Sequence, residues 1–305
     1  MEANIKINQE NTVTPTLRVN SWKRWLKMLL HSKTGTVGFL IVFAVIFVAI
    51  FASFLAPHDP AANNLGDMLK PPAWAEGGSL TYLLGTDNLG RDILSRIIYG
   101  SRVSLLVGVF SVILAGAIGI IVGLLAGYYG GIIDTVLMRL VDSFLAIPSI
   151  LFILVVLSIF NPSLIVLIVV IGFTNWVTYA RVVRGEVLSI KEREFVKASR
   201  SIGTKNITIM IKHVLPNIIS SFIIISTLSV ATTIVLEASL SFLGLGIQPP
   251  EVSWGGMLTD GRNYLATNWW LATFPGIAIT VTVLGIIFLG DWLRDVLDPR
   301  TQSRK

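Results

Sequence analysis

The sequence contains no cysteine, only three histidines and few charges: 24 lysines and arginines and 18 aspartates and glutamates in 305 residues. Without cysteine there is no disulfide, no thiol nucleophile and no thiolate metal site. His31, His58 and His213 stand far apart, without the close spacing of a histidine metal site. Charged residues make up 14%, against about a quarter in a soluble domain, which is too few to cover a globule of this size. A soluble enzyme is excluded on that arithmetic. What is present instead is apolar, with 53% hydrophobic residues and a mean hydropathy of +0.74. At such hydropathy a pI near 9.7 fits a basic membrane protein better than a nucleic-acid binder.

The placement of the charges is more informative than their number. Uncharged stretches cover 34–58, 103–133, 143–180, 213–236 and 263–290, each long enough for a membrane-spanning helix of about 20 residues. Asn161-Pro162-Ser163, a turn signal, divides the longest stretch in two. Six spans are therefore predicted, near 36–56, 103–127, 135–159, 163–180, 217–243 and 272–292. Ala115, Gly119, Gly123 and Gly127 give the second span a smooth face on which a neighbouring helix can approach closely. Pro148 should kink the third.

Residues 1–20 are polar and aperiodic, as expected of a solvated tail. Trp22, Trp25, Leu26, Leu29 and Leu30 then recur at helical spacing, with Lys23, Arg24 and Lys27 opposite, the pattern of an interfacial helix. The apolar run that follows such a long polar lead reads as a retained anchor rather than a cleaved signal. If both termini are cytoplasmic, 19 basic residues fall inside and five outside, which satisfies the positive-inside rule. The expected organisation is a cytoplasmic tail and interfacial helix at 1–35, a first span at 36–56 and an extracytoplasmic loop at 57–101. A core at 102–296 and a cytoplasmic tail at 297–305 complete it. Asp87 and Asp92 are expected to pair with the outer cluster Arg91, Arg96 and Arg102, and Arg139 with Asp142 three residues on.

One connection is densely charged. Residues 181–216 hold eight basic and three acidic side chains. Within it Phe195, Ala198, Ser199 and Ile202 share a helical face, Gly203 has the character of a left-handed cap, and a second helical pattern runs from Asn206 to Leu215-Pro216 and into span five. A helix, turn and helix with small residues on its ridge is shaped to seat in a groove of another protein. Because it joins two spans, force applied there would move both.

Val196 to Gly203 followed by Ile211 and Leu215-Pro216 resembles the "EAA" loop of ABC-importer permeases, with Lys197 in place of the usual Glu and Ser199 in place of an Ala. Other stretches resemble the dipeptide/oligopeptide type, which includes nickel and glutathione permeases: Gly85-Thr86-Asp87 to Gly90-Arg91-Asp92, Ala126 to Gly131, Glu237 to Gly246, Ser253-Trp254-Gly255 and Leu297 to Arg300. The resemblance implies an all-α polytopic protein of the bacterial inner membrane with the type I ABC importer permease fold. It would import peptides by alternating access, with nickel or glutathione as alternative solutes. Its expected partners are a homologous second permease, two cytoplasmic ATP-binding subunits and an extracytoplasmic solute-binding protein, with no nucleic acid. The chain lacks a GxxxxGK[ST] phosphate loop, so ATP and Mg would be used by the partner subunits and no cofactor is expected here. An ion-coupled carrier would need acids on several spans, and an intramembrane enzyme a convergent set of reactive groups; neither pattern is present.

Candidate residues follow. The ATPase-coupling loop would use Glu194, Phe195, Lys197, Ala198, Ser199, Ile202, Gly203, Leu215 and Pro216. Glu237, the one acid within span five, is a candidate for the translocation path or gate with Asp142 and Arg139, because a charge in hydrocarbon must face protein or water. Asp87, Arg91, Asp92 and Trp254 on the outer loops are candidates for docking the binding protein. Trp254, Trp269 and Trp270 suit interface anchors equally.

Overall fold

The computed structural model describes residues 28–297. The polar tail, most of the interfacial segment around Trp22 and Trp25, and Asp298-Pro299-Arg300 lie outside them. The described chain is helical, and its one β-bridge joins Thr86 to Asp92. Among the described residues five helical segments are long and apolar enough to cross a membrane, and a bent pair counted as one span makes a sixth.

The first span is α1 (Lys33–Ile50), continued by the short α2 (Ala52–Leu55). The Ser32 hydroxyl caps α1 by accepting from the Gly35 N–H. Phe39, Phe43 and Phe47 stand exposed along one edge at four-residue spacing, as suits contact with lipid. The long loop after α2 is tied together by polar contacts. Asp67 bonds Asn64, Tyr82 and Lys70, and the hydrogen bonds from Lys70 and Tyr82 hold its carboxyl below the usual aspartate range. That stabilisation is present at neutral pH and is lost as pH falls through the depressed value.

The sequence pattern separates a short segment at Ile93 to Gly100 from the second span. The structure joins them into one helix, α3 (Ile93–Tyr129), of 37 residues and about 55 Å. Asp92 caps its start through the Ser95 N–H, and Gly130 at φ 68° ends it. Gly100 does not end the helix. A Cβ there would lie 2.9 Å from the Trp254 ring, so the glycine makes a seat for that ring. The predicted smooth stripe faces the fourth span, α6 (Leu164–Ile190): a Cβ on Gly123 would stand 2.6 Å from the Ala180 carbonyl oxygen, and one on Gly127 2.8 Å from the Val187 Cβ. In lipid, where helices gain little from hiding apolar surface, such close approach is what holds spans together.

The third span is α4 (Gly131–Leu145) and α5 (Ser149–Ile159), bent by 77° at a break that contains Pro148. Proline cannot donate to the carbonyl four residues back, so the ladder fails there. Beyond α6 come the short α7 (Glu194–Ser201), α8 (Asn206–Ile209) and α9 (Leu215–Leu240), with α8 passing into α9 through a wider helical turn at Met210–Val214. Pro216 explains this turn, because its ring would press on the Lys212 carbonyl of a regular helix. After α9 the chain forms α10 (Trp254–Gly261) and the last span, α11 (Trp270–Leu297).

Candidate functional site

The two ends of the bundle are built differently. At one end, α7 and α8 fold back under the ends of α3, α6 and α9. Leu124 and Tyr128 of α3, Val183, Val187 and Ile190 of α6, Val196 of α7 and Ile209, Met210, Val214 and Ile218 of the following helix form one buried cluster. Polar contacts fix the same joint: the Tyr128 hydroxyl donates to Asn206 Oδ1 at 2.9 Å, Lys191 Nζ donates to the Gly127 carbonyl at 2.8 Å, and the Arg200 guanidinium lies over the Tyr128 ring. Tyr128 and Lys191 were not among the candidate residues, though each lies within a stretch that the sequence marks, 126–131 and 181–216.

The outward face of this element is apolar. Phe195 is 42% exposed and Ile202 82%, with Ala198 between them, and Ile207 and Ile211 continue the ridge beyond the turn. Ser199, expected on that face, points inward and is buried beside Val196. The α7 helix has room for only two inward positions, and these are three residues apart. Gly203 adopts φ 80° with open space where a Cβ would stand, so its requirement is conformational rather than steric. Leu215 packs against the buried cluster, and Pro216 is exposed. Glu194 lies in the first turn of α7, where its charge favours the helix dipole. Lys197 turns back to Glu192 at 3.0 Å; its hydrogen bond and charge lower the Glu192 carboxyl below its ordinary range.

At the other end the long loop after α2 and α10 close over the start of α3. Arg91 Nε reaches Asp87 at 2.6 Å, and both Arg91 and Arg96 donate to Asp260 of α10, at 3.0 and 3.1 Å. Asp260 is the partner that sequence reasoning missed. The expected pairing within one segment holds only for Asp87, since Asp92 instead caps α3 and sits 3.4 Å from the His58 ring. Arg102 donates to the carbonyls of Ala49 and Ile50. Asp87, Asp92 and Trp254, read from sequence as docking residues, are buried. Trp254 packs with Ile93, Met257, Trp270 and Leu271 and donates its ring N–H to the Ile97 carbonyl. These residues build the cap rather than present its surface. What the cap presents is a cavity of about 550 Å³ lined by Asn88, Arg91, Arg96, Gln248, Glu251 and Asp260 among others.

Glu237 also departs from expectation. Its side chain is fully enclosed, accepting from the Ser241 hydroxyl at 2.8 Å and the Ser104 hydroxyl at 3.5 Å, while Ser104 accepts from the Trp254 N–H. In this conformation it is a clip between α3, α9 and α10, not the wall of an open path, because serines from two elements have closed over it. Glu237→Ala should remove both bonds at a cost of about 2 kcal/mol. The apparent melting temperature of the purified protein is expected to fall by several degrees, with Glu237→Gln intermediate. An unchanged melting curve for the alanine variant would refute the clip.

Asp142 does not pair with Arg139. Its Oδ1 takes the Arg181 guanidinium at 2.6 Å, since a side chain from the facing helix α6 is presented to it directly. Arg184 and Asp134 make a parallel bridge between the same two helices.

Long apolar helices packed along α3 and α6, flanked by a bent span and carrying an ordered surface element pinned to three of them, define a multi-pass helical membrane protein. Residues 119–303, more than half of the chain, match the model of the binding-protein-dependent transport system inner membrane component, and residues 20–72 match the N-terminal TM domain of oligopeptide transport permease C. The chain belongs to this family of inner-membrane permease subunits. It is 41% identical to the di/tripeptide transport system permease protein DppC of Pseudomonas aeruginosa over 92% of this chain and 93% of that one. It is also 41% identical to the dipeptide permease DppC of Escherichia coli K12, over 90% and 91% of the two chains. A glutathione transport system permease protein, GsiD of Pectobacterium atrosepticum, is 39% identical over 92% of each. Among solved structures, an inward-facing form of the MetNI methionine ABC transporter shares the fold, with TM-score 0.55 and 20% identity over 67% of this chain and 96% of that one.

Proposed function

We propose that this chain is one membrane half of an ATP-driven importer of short peptides. A homologous permease would complete the pathway, a solute-binding protein would deliver peptide to the outer cap, and two ATP-hydrolysing subunits would engage the α7–α8 element from the cytoplasm. The observation that carries this reading is the pairing of an exposed apolar ridge, Phe195, Ala198 and Ile202, with a buried joint into three spans. A partner gripping the ridge moves α3, α6 and α9 together, which is what alternating access requires. The excess of basic residues at that end supports its placement in the cytoplasm. The relatives' names support peptides as the solute, and glutathione is itself a tripeptide.

The assay is reconstitution of the complete complex in proteoliposomes with a labelled dipeptide and the binding protein outside. Uptake should depend on ATP and on the binding protein and should persist when ion gradients are collapsed. Dipeptide uptake that follows an ion gradient without ATP would overturn the proposal. ATP-dependent uptake of nickel but not of peptide would overturn the choice of solute.

A further inference from the structure

Within the spanning part of α6, Asn175, Thr178 and Arg181 fall on one helical face, three residues apart. Asn175 and Thr178 line a cavity of about 240 Å³ at the break of the third span, beside Phe144, Pro148, Ser149 and Phe152. Among the described residues the Asn175 amide has no hydrogen-bond partner. An unpartnered amide facing hydrocarbon costs several kcal/mol, so this one faces water or a polar ligand.

The polar line continues toward the coupling end. Arg181 and Asp142 form their bridge with 54% and 62% of their side chains exposed. One turn further along α4 in the same direction stands Arg139, exposed, and no partner for its guanidinium occurs among the described residues. Arg181 is neutralised by Asp142, which leaves Arg139 the uncompensated charge. A charge open to lipid costs about 2.5–3.5 kcal/mol on insertion scales, a penalty that a wet path removes.

We infer that Asn175, Thr178, the Arg181–Asp142 bridge and Arg139 are one wall of the solute path, and that Arg139 receives the α-carboxylate of a peptide as it leaves the break cavity. The inference rests on the peptide-importer reading. A guanidinium fork matches a carboxylate in geometry and charge, and the Asn175 amide can both donate to and accept from a peptide bond.

The absence of cysteine makes the test direct. Asn175→Cys, Thr178→Cys and, as an apolar control exposed on the same helix, Val169→Cys are prepared in the complete complex and treated with a membrane-impermeant thiol reagent applied from the cytoplasmic face. Labelling at 175 and 178 is expected to be at least tenfold faster than at 169; equal rates overturn the wet wall. L-alanyl-L-alanine should slow labelling of Thr178→Cys, and adding Arg139→Gln should abolish that protection while Arg139→Lys retains it. Protection that is absent, or unaffected by Arg139→Gln, overturns the role of Arg139. Wild-type complex in the same vesicles separates the two levels. If it fails to import dipeptide under ATP, the peptide reading itself has failed; if it imports dipeptide and labelling follows neither expectation, only this inference has.

Discussion

Ala198→Glu is expected to abolish ATP-driven uptake while leaving the subunit folded and inserted. The side chain at 198 lies on the exposed ridge of α7 between Phe195 and Ile202 and supports nothing within the chain, so a glutamate there costs the isolated subunit little. In the proposed complex it would place an unpaired charge in the apolar centre of the ATPase contact. A charge buried without a partner costs on the order of 2–5 kcal/mol, about 30-fold or more in occupancy of the productive complex. Three measurements check it: membrane level of the variant, co-purification of the ATP-binding subunits, and dipeptide uptake. Loss of co-purification, or retained binding with uncoupled ATP hydrolysis, fits the assignment. Normal uptake sinks it. Ser199→Glu is a different experiment, because Ser199 is buried toward Val196 and its replacement should damage the joint itself.

Gly123→Leu should be strongly destructive in the membrane-embedded part. The glycine lies where α3 meets α6, and a Cβ there would press on the Ala180 carbonyl and the Val183 side chain. Backbone cannot move aside as a flexible side chain can, so the helices must separate. Overpacking costs about 1–3 kcal/mol even where relief is available. The amount of monodisperse protein recovered from membranes is expected to fall severalfold. Gly185→Leu is the matched control: it lies on the same α6, with nothing within 4 Å of the added Cβ, and leucine favours a helix more than glycine does. Equal recovery of the two variants would show that the α3–α6 contact does not depend on close approach.

The spans were legible because each leaves a gap in the charge pattern, and Pro148 and the glycine stripe were legible because their effects are local. The boundaries moved where the sequence offers a breaker that tertiary structure uses otherwise. Gly100 resembles a helix end until Trp254, far along the chain, is seen to occupy the space it leaves. Pairings across long separations were not legible at all. Nothing near Arg91 or Arg96 announces Asp260, and Asp142 has an arginine three residues away that it does not use. Of the face the pattern grouped together, Phe195, Ala198 and Ile202 are exposed while Ser199 is buried, since a face of small residues does not say which of them turns inward. The outer candidates Asp87, Asp92 and Trp254 were noticed for their motif, whereas burial gives them a role in building the cap.

The length of α3 bears on how news of a docked binding protein could reach the other side of the membrane. The start of this one rod carries Asp92, Arg96 and the contact with Trp254, and its last turn carries Tyr128, bonded to Asn206. A regular helix transmits a tilt along its axis without any side chain changing rotamer. In the proposed importer the two faces are then thermodynamically linked: whatever factor the binding protein adds to the grip of the ATP-binding subunits, they must return to the binding protein.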